Sequence, residues 1–223
     1  MIGIVLSPLT ISLLALAATL LLLWAEQLAA KWLIYIAKPT ATTLILLLAL
    51  LAPAPVAEGY RWAIVVGLLF ALAGDIFLML PSDRFLAGLV SFLITHLCYI
   101  VAFAGQAVAP YWSPLGLGVL IYGGIVYGLL HPHLGSMRIP VLVYMTAILA
   151  MAWLALAMAW QQLGAWQQPG AWATFAAWGS IFFVISDSVL ALNRFRRPFA
   201  AAQWIVLSTY YLAQWLIAWS LFA

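Results

Sequence analysis

The chain has 223 residues, of which 68% are hydrophobic and only 6% charged, and its mean hydropathy is +1.17. Soluble domains keep roughly a quarter of their residues charged, so this composition excludes a soluble globule and implies a polytopic membrane protein. The net charge is +3 and the pI about 9.2. The bases stand singly between apolar stretches, not in a basic arm or an aromatic-interleaved patch, so nucleic acid is excluded as a partner.

A helix needs about 20 apolar residues to cross the hydrocarbon core. On that count the chain divides into eight spans, near 3–24, 31–52, 60–80, 84–106, 112–130, 138–160, 171–192 and 200–222. The breaks carry turn chemistry or charge: Pro53-Ala54-Pro55, Pro81 to Arg84, Ala109-Pro110, His131-Pro132-His133, Gln167 to Gly170 and Asn193 to Pro198. The expected fold is all-α, one domain of eight transmembrane helices. No Lys or Arg precedes Lys31, so the first span lacks the basic region of a cleavable signal and reads as a membrane helix. Cys98 is the single cysteine and allows no internal disulfide.

Lysines and arginines set the expected orientation. Lys31, Lys38, Arg84, Arg138, Arg194, Arg196 and Arg197 fall on the side reached after the first span, and only Arg61 falls on the other. That bias makes the basic side cytoplasmic and puts both termini outside, in a bacterial inner membrane. Trp24, Trp32, Trp62, Trp112, Trp160 and Trp172 lie near span ends, as interfacial anchors do.

Two aspartates recur in matched contexts. Asp75 in GDIFLML and Asp187 in SDSVLAL lie 112 positions apart, and each is followed by an Arg-Phe pair, Arg84-Phe85 and Arg194-Phe195. Tyr99 and Tyr211 keep the same offset, while Pro39 and Pro140 open spans two and six. The pattern suggests two parallel four-helix repeats, about 1–107 and 108–223, related by an axis along the membrane normal.

An ionisable side chain at membrane depth is costly and marks a functional site by default. Lys38 lies seven residues beyond Lys31, roughly 10 Å along the helix, and both aspartates lie at a comparable depth. One lysine against two carboxyls in a poorly hydrated layer suits one protonated and one ionised acid, the division of labour seen in glycosidases and aspartic proteases. An Asp–Lys pair that only joins helices is the plain alternative. His96 and Tyr99 share one helix face near the bilayer middle, where His96 is a proton relay beside Asp75 or simply a helix contact. Tyr144, Tyr211 and Gln214 are candidates for the same cavity. Arg138, Arg194 and Arg196 form a rim suited to a phosphate, unless they serve topology alone. No compact metal-ligand set is present, since His131 and His133 flank a proline in a loop, and neither a GxSxG elbow nor a P-loop occurs.

Lys38-Pro39, Gly74-Asp75 with its FLML, Phe85 to Gly88, Phe92, His96, Tyr99, Pro140 with Tyr144, Ser186-Asp187 with LALNRF, and Tyr211 to Gln214 together resemble the YhhN-like lysoplasmalogenase family. The resemblance covers about residues 35–217 and is most specific at the two aspartate motifs. It implies an eight-helix membrane hydrolase, without a known cofactor, that cleaves the vinyl ether bond of lysoplasmalogens to a fatty aldehyde and a glycerophospho-ethanolamine or -choline. The implied partner is thus a single-chain ether lysophospholipid of the membrane. Vinyl ether hydrolysis needs an acid to protonate carbon and an anion beside the resulting oxocarbenium ion, which two carboxyls supply. A proton-coupled transporter is the competing expectation, because parallel repeats and intramembrane acids also occur in carriers. A non-enzymatic lipid-binding scaffold is a third.

Overall fold

The computed structural model describes residues 7–52, 57–107, 113–164 and 171–222. The turns expected at Pro53–Pro55, Ala109–Pro110 and Gln167–Gly170, and the anchor Trp112, lie outside the described residues. Among the described residues there are eight α-helices: α1 (Pro8–Gln27), α2 (Lys31–Leu50), α3 (Glu58–Met79), α4 (Phe85–Ala104), α5 (Pro114–Leu130), α6 (Arg138–Gly164), α7 (Ala171–Ala191) and α8 (Ala202–Trp219). A π-helical turn, Leu192–Arg196, extends α7, and two short 3-10 turns join α5 to α6.

Local chemistry explains several boundaries. Both α1 and α5 begin with Ser-Pro, in which the serine caps and the proline occupies a first-turn position where no N–H is needed. The Ser7 hydroxyl accepts from the Thr10 amide at 3.1 Å. Pro140 sits in the first turn of α6 for the same reason. Pro39 does not open a helix as expected. It lies inside α2, a position that bilayer-spanning helices tolerate better than soluble ones.

Among the described residues seven stretches, covering α1 to α7, are long and apolar enough to cross a membrane. The expectation of eight is met in helix number but not in composition. α8 has only 18 residues and carries Tyr210, Tyr211 and Gln214, which are buried against other helices and lower its apolar content.

The packing order is regular. α2 packs on α3 and α6 on α7; the most extensive pairings are α3 with α4 and α7 with α8. The two sets of four cross-connect, α2 against α8 and α6 against α4. α1 covers α2 and also touches α8, while α5 packs on α6 and on the turns at its end. This weave brings Lys38, Asp75 and Asp187 to one end of the bundle, where they line a common cavity with Asp83, Arg84 and Arg194.

Candidate active site

Asp75 sits one turn before the end of α3 and its side chain is 3% exposed. Charge buried in a bilayer core must be compensated by donors. Lys38 Nζ lies 3.5 Å from Oδ1. The hydroxyls of Thr42 and Tyr210 donate to Oδ2 at 2.6 and 2.8 Å. Lys38 and Thr42 are four apart on α2 and therefore share a face, while Tyr210 approaches from α8. The Tyr211 hydroxyl donates to the Lys38 carbonyl at 3.0 Å and ties α8 to the same turn of α2.

Asp187 holds the equivalent place on α7, but its surroundings differ. Tyr144 of α6 donates its hydroxyl to Oδ2 in a short hydrogen bond. His96 Nε2 of α4 stands 3.9 Å from the same oxygen, beyond hydrogen-bond distance, and neither ring nitrogen has a hydrogen-bond partner among the described residues. The imidazole is fully buried, edge-on to Tyr144 at 5.0 Å and to Phe183 at 4.8 Å between ring centres. Asp187 is more open than Asp75, with 13% of its side chain exposed.

The two carboxyls line one polar cavity of about 260 Å³ together with Lys38, Tyr210, Arg84 and Arg194. A second, apolar cavity adjoins it, walled by Phe92 and Leu89 of α4, Val126 of α5 and Met145 of α6. Asp187 lines both, as do Leu78, Phe85, Phe92 and Leu190. The carboxyl of Asp187 therefore marks the place where the lining changes from polar to apolar.

At the mouth, Arg194 pairs with Asp83 at 2.8 Å, and its guanidinium lies 5.0 Å from the centre of the Phe85 ring. Phe85 in turn meets Phe195 edge-on at 5.7 Å. Asp83 takes a left-handed backbone (φ 40°), a conformation that aspartate tolerates better than most residues.

Of the residues singled out in the sequence, Lys38, Asp75, Tyr144, Asp187 and Arg194 line these cavities, and His96 is buried behind Asp187 without reaching either. His96 stands beside Asp187 and not beside Asp75. Tyr99 and Gln214 pair with each other, hydroxyl to amide oxygen at 2.6 Å, and line neither cavity. Tyr211 supports α2 from behind. Arg138 is exposed at the start of α6 and lines neither cavity, and the same holds for Arg196. Lys38 is not the sole cation near the carboxyls, because Arg84 and Arg194 line the cavity as well. Thr42 and Tyr210 were not anticipated; Thr42 is signalled by its spacing of four from Lys38, whereas nothing in the sequence separates Tyr210 from Tyr211. Among the described residues no three His, Cys, Asp or Glu side chains gather as a metal-ligand set.

The Lys38–Asp75 pair generates a stability prediction. Removing one member of a buried pair costs about 3–5 kcal/mol because the other is left uncompensated. Lys38→Met should therefore markedly lower the unfolding temperature in detergent, and adding Asp75→Asn should recover part of the loss. Additive losses in the double variant would show that the two side chains are not coupled.

Comparison with known proteins identifies the family. The YhhN family model matches residues 33–221. The human protein named lysoplasmalogenase TMEM86A is 36% identical over 167 residues, covering 70% of this chain and 64% of its own length. The rat protein named lysoplasmalogenase TMEM86B is 30% identical over 204 residues, covering 89% and 77%. The protein named uncharacterized membrane protein YhhN of Escherichia coli O157:H7 is 29% identical over 191 residues, covering 86% and 88%. The chain thus spans just under two thirds of the human TMEM86A protein. No solved structure gives a significant match. Family model, relatives and apolar helices together establish that this integral membrane protein belongs to the YhhN family.

Proposed function

We propose that the protein is a lysoplasmalogenase, hydrolysing the vinyl ether bond of a single-chain ether lysophospholipid between Asp75 and Asp187. The observation that carries this reading is the change of lining at Asp187. A lysoplasmalogen is polar up to its ether oxygen and apolar beyond the double bond, so its labile bond falls where a polar cavity gives way to an apolar one. Arg84 and Arg194 at the mouth suit the phosphate, by charge and by the fork geometry of guanidinium. Names of the mammalian relatives support the same substrate class.

The surroundings of the two acids favour a division of roles. Asp75 faces Lys38 and two hydroxyl donors, a setting made for a carboxylate. Asp187 has one hydroxyl donor, a histidine without a bond to it and an apolar wall, a setting that suits the proton carrier. In the reaction the proton of Asp187 passes to the β-carbon of the vinyl ether, and the π electrons form the new C–H bond. The cation left on the ether-bearing carbon is stabilised by the Asp75 carboxylate. Water adds to that carbon and returns its proton to Asp187, giving a hemiacetal. The hemiacetal C–O bond then breaks, its hydroxyl proton ending on the glycerol oxygen, with release of a fatty aldehyde. One water is consumed and the carboxyls are regenerated.

The lining of the polar cavity comes from one end of the bundle, which favours a hydrolase over a carrier open to both faces. All eight helices, α8 included, cross the bilayer in this proposal, as two parallel four-helix repeats. Support for the repeats comes from the exchange in which each aspartate is served by its own half's second helix and the other half's fourth: α2 and α8 for Asp75, α6 and α4 for Asp187. The basic end faces the cytoplasm of a bacterial cell.

Purified protein supplied with a lysoplasmalogen in detergent should release fatty aldehyde. Asp187→Asn should cut turnover by about 100-fold or more, the usual contribution of a general acid, and Asp75→Asn should also reduce it strongly. Full activity in either variant contradicts the paired-acid mechanism. In a Cys98→Ala background, a cysteine placed at Arg196 should react with a membrane-impermeant thiol reagent only from the cytoplasmic side; labelling in intact cells from outside overturns the orientation.

A further inference from the structure

The packing of the eight helices has a near two-fold pattern with one conspicuous break. α1 leans on α8, yet among the described residues the corresponding helix α5 makes little contact with α4. At Gly123, α5 is drawn against α6 so closely that an added Cβ would collide with the Leu149 side chain. A seam is left between α4 and α5. Its outer edges carry exposed apolar side chains, Leu86 and Val90 on α4 and Tyr122, Ile125 and Leu129 on α5. Its inner wall is the apolar cavity of Leu89, Phe92 and Val126, which ends at Asp187.

The size of that cavity decides how it is used. Its free volume is about 50 Å³, little more than one or two waters at roughly 30 Å³ each. A long hydrocarbon chain does not fit inside, though a few carbons do. A chain whose first carbons reach Asp187 must leave the protein again, and the open seam lets it do so into lipid.

We propose that the seam between α4 and α5 is a lateral portal, through which a single-chain ether phospholipid slides from the bordering leaflet, first carbons against Asp187 and the remainder of its chain still in the bilayer. This rests on the reading of the site as an ether-lipid hydrolase and adds the route and the manner of binding. Two features support it. Asp187, the more exposed carboxyl, is the one at the inner end of the seam. The larger hollow on the opposite flank, about 430 Å³ between α1 and α8, is lined by Leu13, Leu16, Tyr211 and Trp215 and reaches neither carboxyl. Because most of the chain stays outside, chain length should hardly affect turnover once the chain is long enough to hold the lipid in the bilayer.

The test uses a saturated single-chain ether phospholipid with a diazirine near the headgroup end of its chain, which cannot be hydrolysed. Irradiated with the unaltered protein in lipid nanodiscs, it should form adducts on α4 and α5 residues of the seam. Adducts confined to the α1–α8 hollow overturn the portal. In a Val90→Cys, Ile125→Cys, Cys98→Ala protein, bridging the two cysteines across the outer edges of the seam with a bifunctional thiol reagent should abolish the adducts. It should also stop aldehyde release from long-chain lysoplasmalogen while sparing a short, water-soluble vinyl ether that reaches Asp187 through the polar mouth. Unchanged adduct yield after bridging, or equal loss with both substrates, contradicts the proposal. Adduct formation needs no turnover, so a protein that is labelled at the seam but releases no aldehyde overturns the hydrolase reading and leaves the portal standing.

Discussion

A carboxylate inside a membrane-spanning bundle persists only if the protein supplies it with donors, and that constraint organises this fold. Asp75 on α3 draws Lys38 and Thr42 from the preceding α2 and Tyr210 from the distant α8, so the first half of the chain and its last helix must meet at one depth. Tyr211 adds a bond to the Lys38 carbonyl and prevents α8 from turning away. The polar content that makes α8 less apolar than its neighbours serves this junction. Breaking the Lys38–Asp75 pair would leave one buried charge without compensation, which is far more costly than losing a surface ion pair.

Asp187 obeys the same constraint by a different solution. It has Tyr144 and a nearby imidazole but no lysine, and it is partly open to an apolar channel. Two carboxyls in similar places with unlike partners are what a reaction with separate acid and anion roles requires. In the proposed duplication, the halves have kept the position of the aspartate and diverged in what surrounds it. The same divergence accounts for the packing of α1 on α8 where α5 stands off α4, and the open seam falls on the side of the more exposed carboxyl.

Much of this was legible because charge is so rare in the chain. Lys38, Asp75 and Asp187 stood out by cost alone, and helix rise put them at a common depth. Less could be read about which neighbours they use. Tyr210 and Tyr211 are adjacent, about 100° apart on the helix, and only the packing of α8 decides that the first faces Asp75 and the second the Lys38 backbone. His96, expected as a relay beside Asp75 or as a plain helix contact, stands beside Asp187, since sequence spacing gives height along a helix but not which neighbouring helix lies across from it. Arg138 and Arg194 looked alike as rim bases, yet Arg194 reaches the mouth because the π-helical turn extends α7 and brings its guanidinium to Asp83. The seam was not foreseeable at all, because it is a sparseness of packing between α4 and α5 among the described residues.

The account turns on Asp187 carrying a proton while Asp75 is ionised in the resting protein. Infrared difference spectroscopy of the purified protein at neutral pH, with each aspartate replaced by asparagine in turn, tests this most directly. The carbonyl band of a protonated buried carboxyl should vanish in Asp187→Asn and persist in Asp75→Asn. A band that vanishes in Asp75→Asn and survives in Asp187→Asn, or no protonated carboxyl band in the unaltered protein, would contradict it.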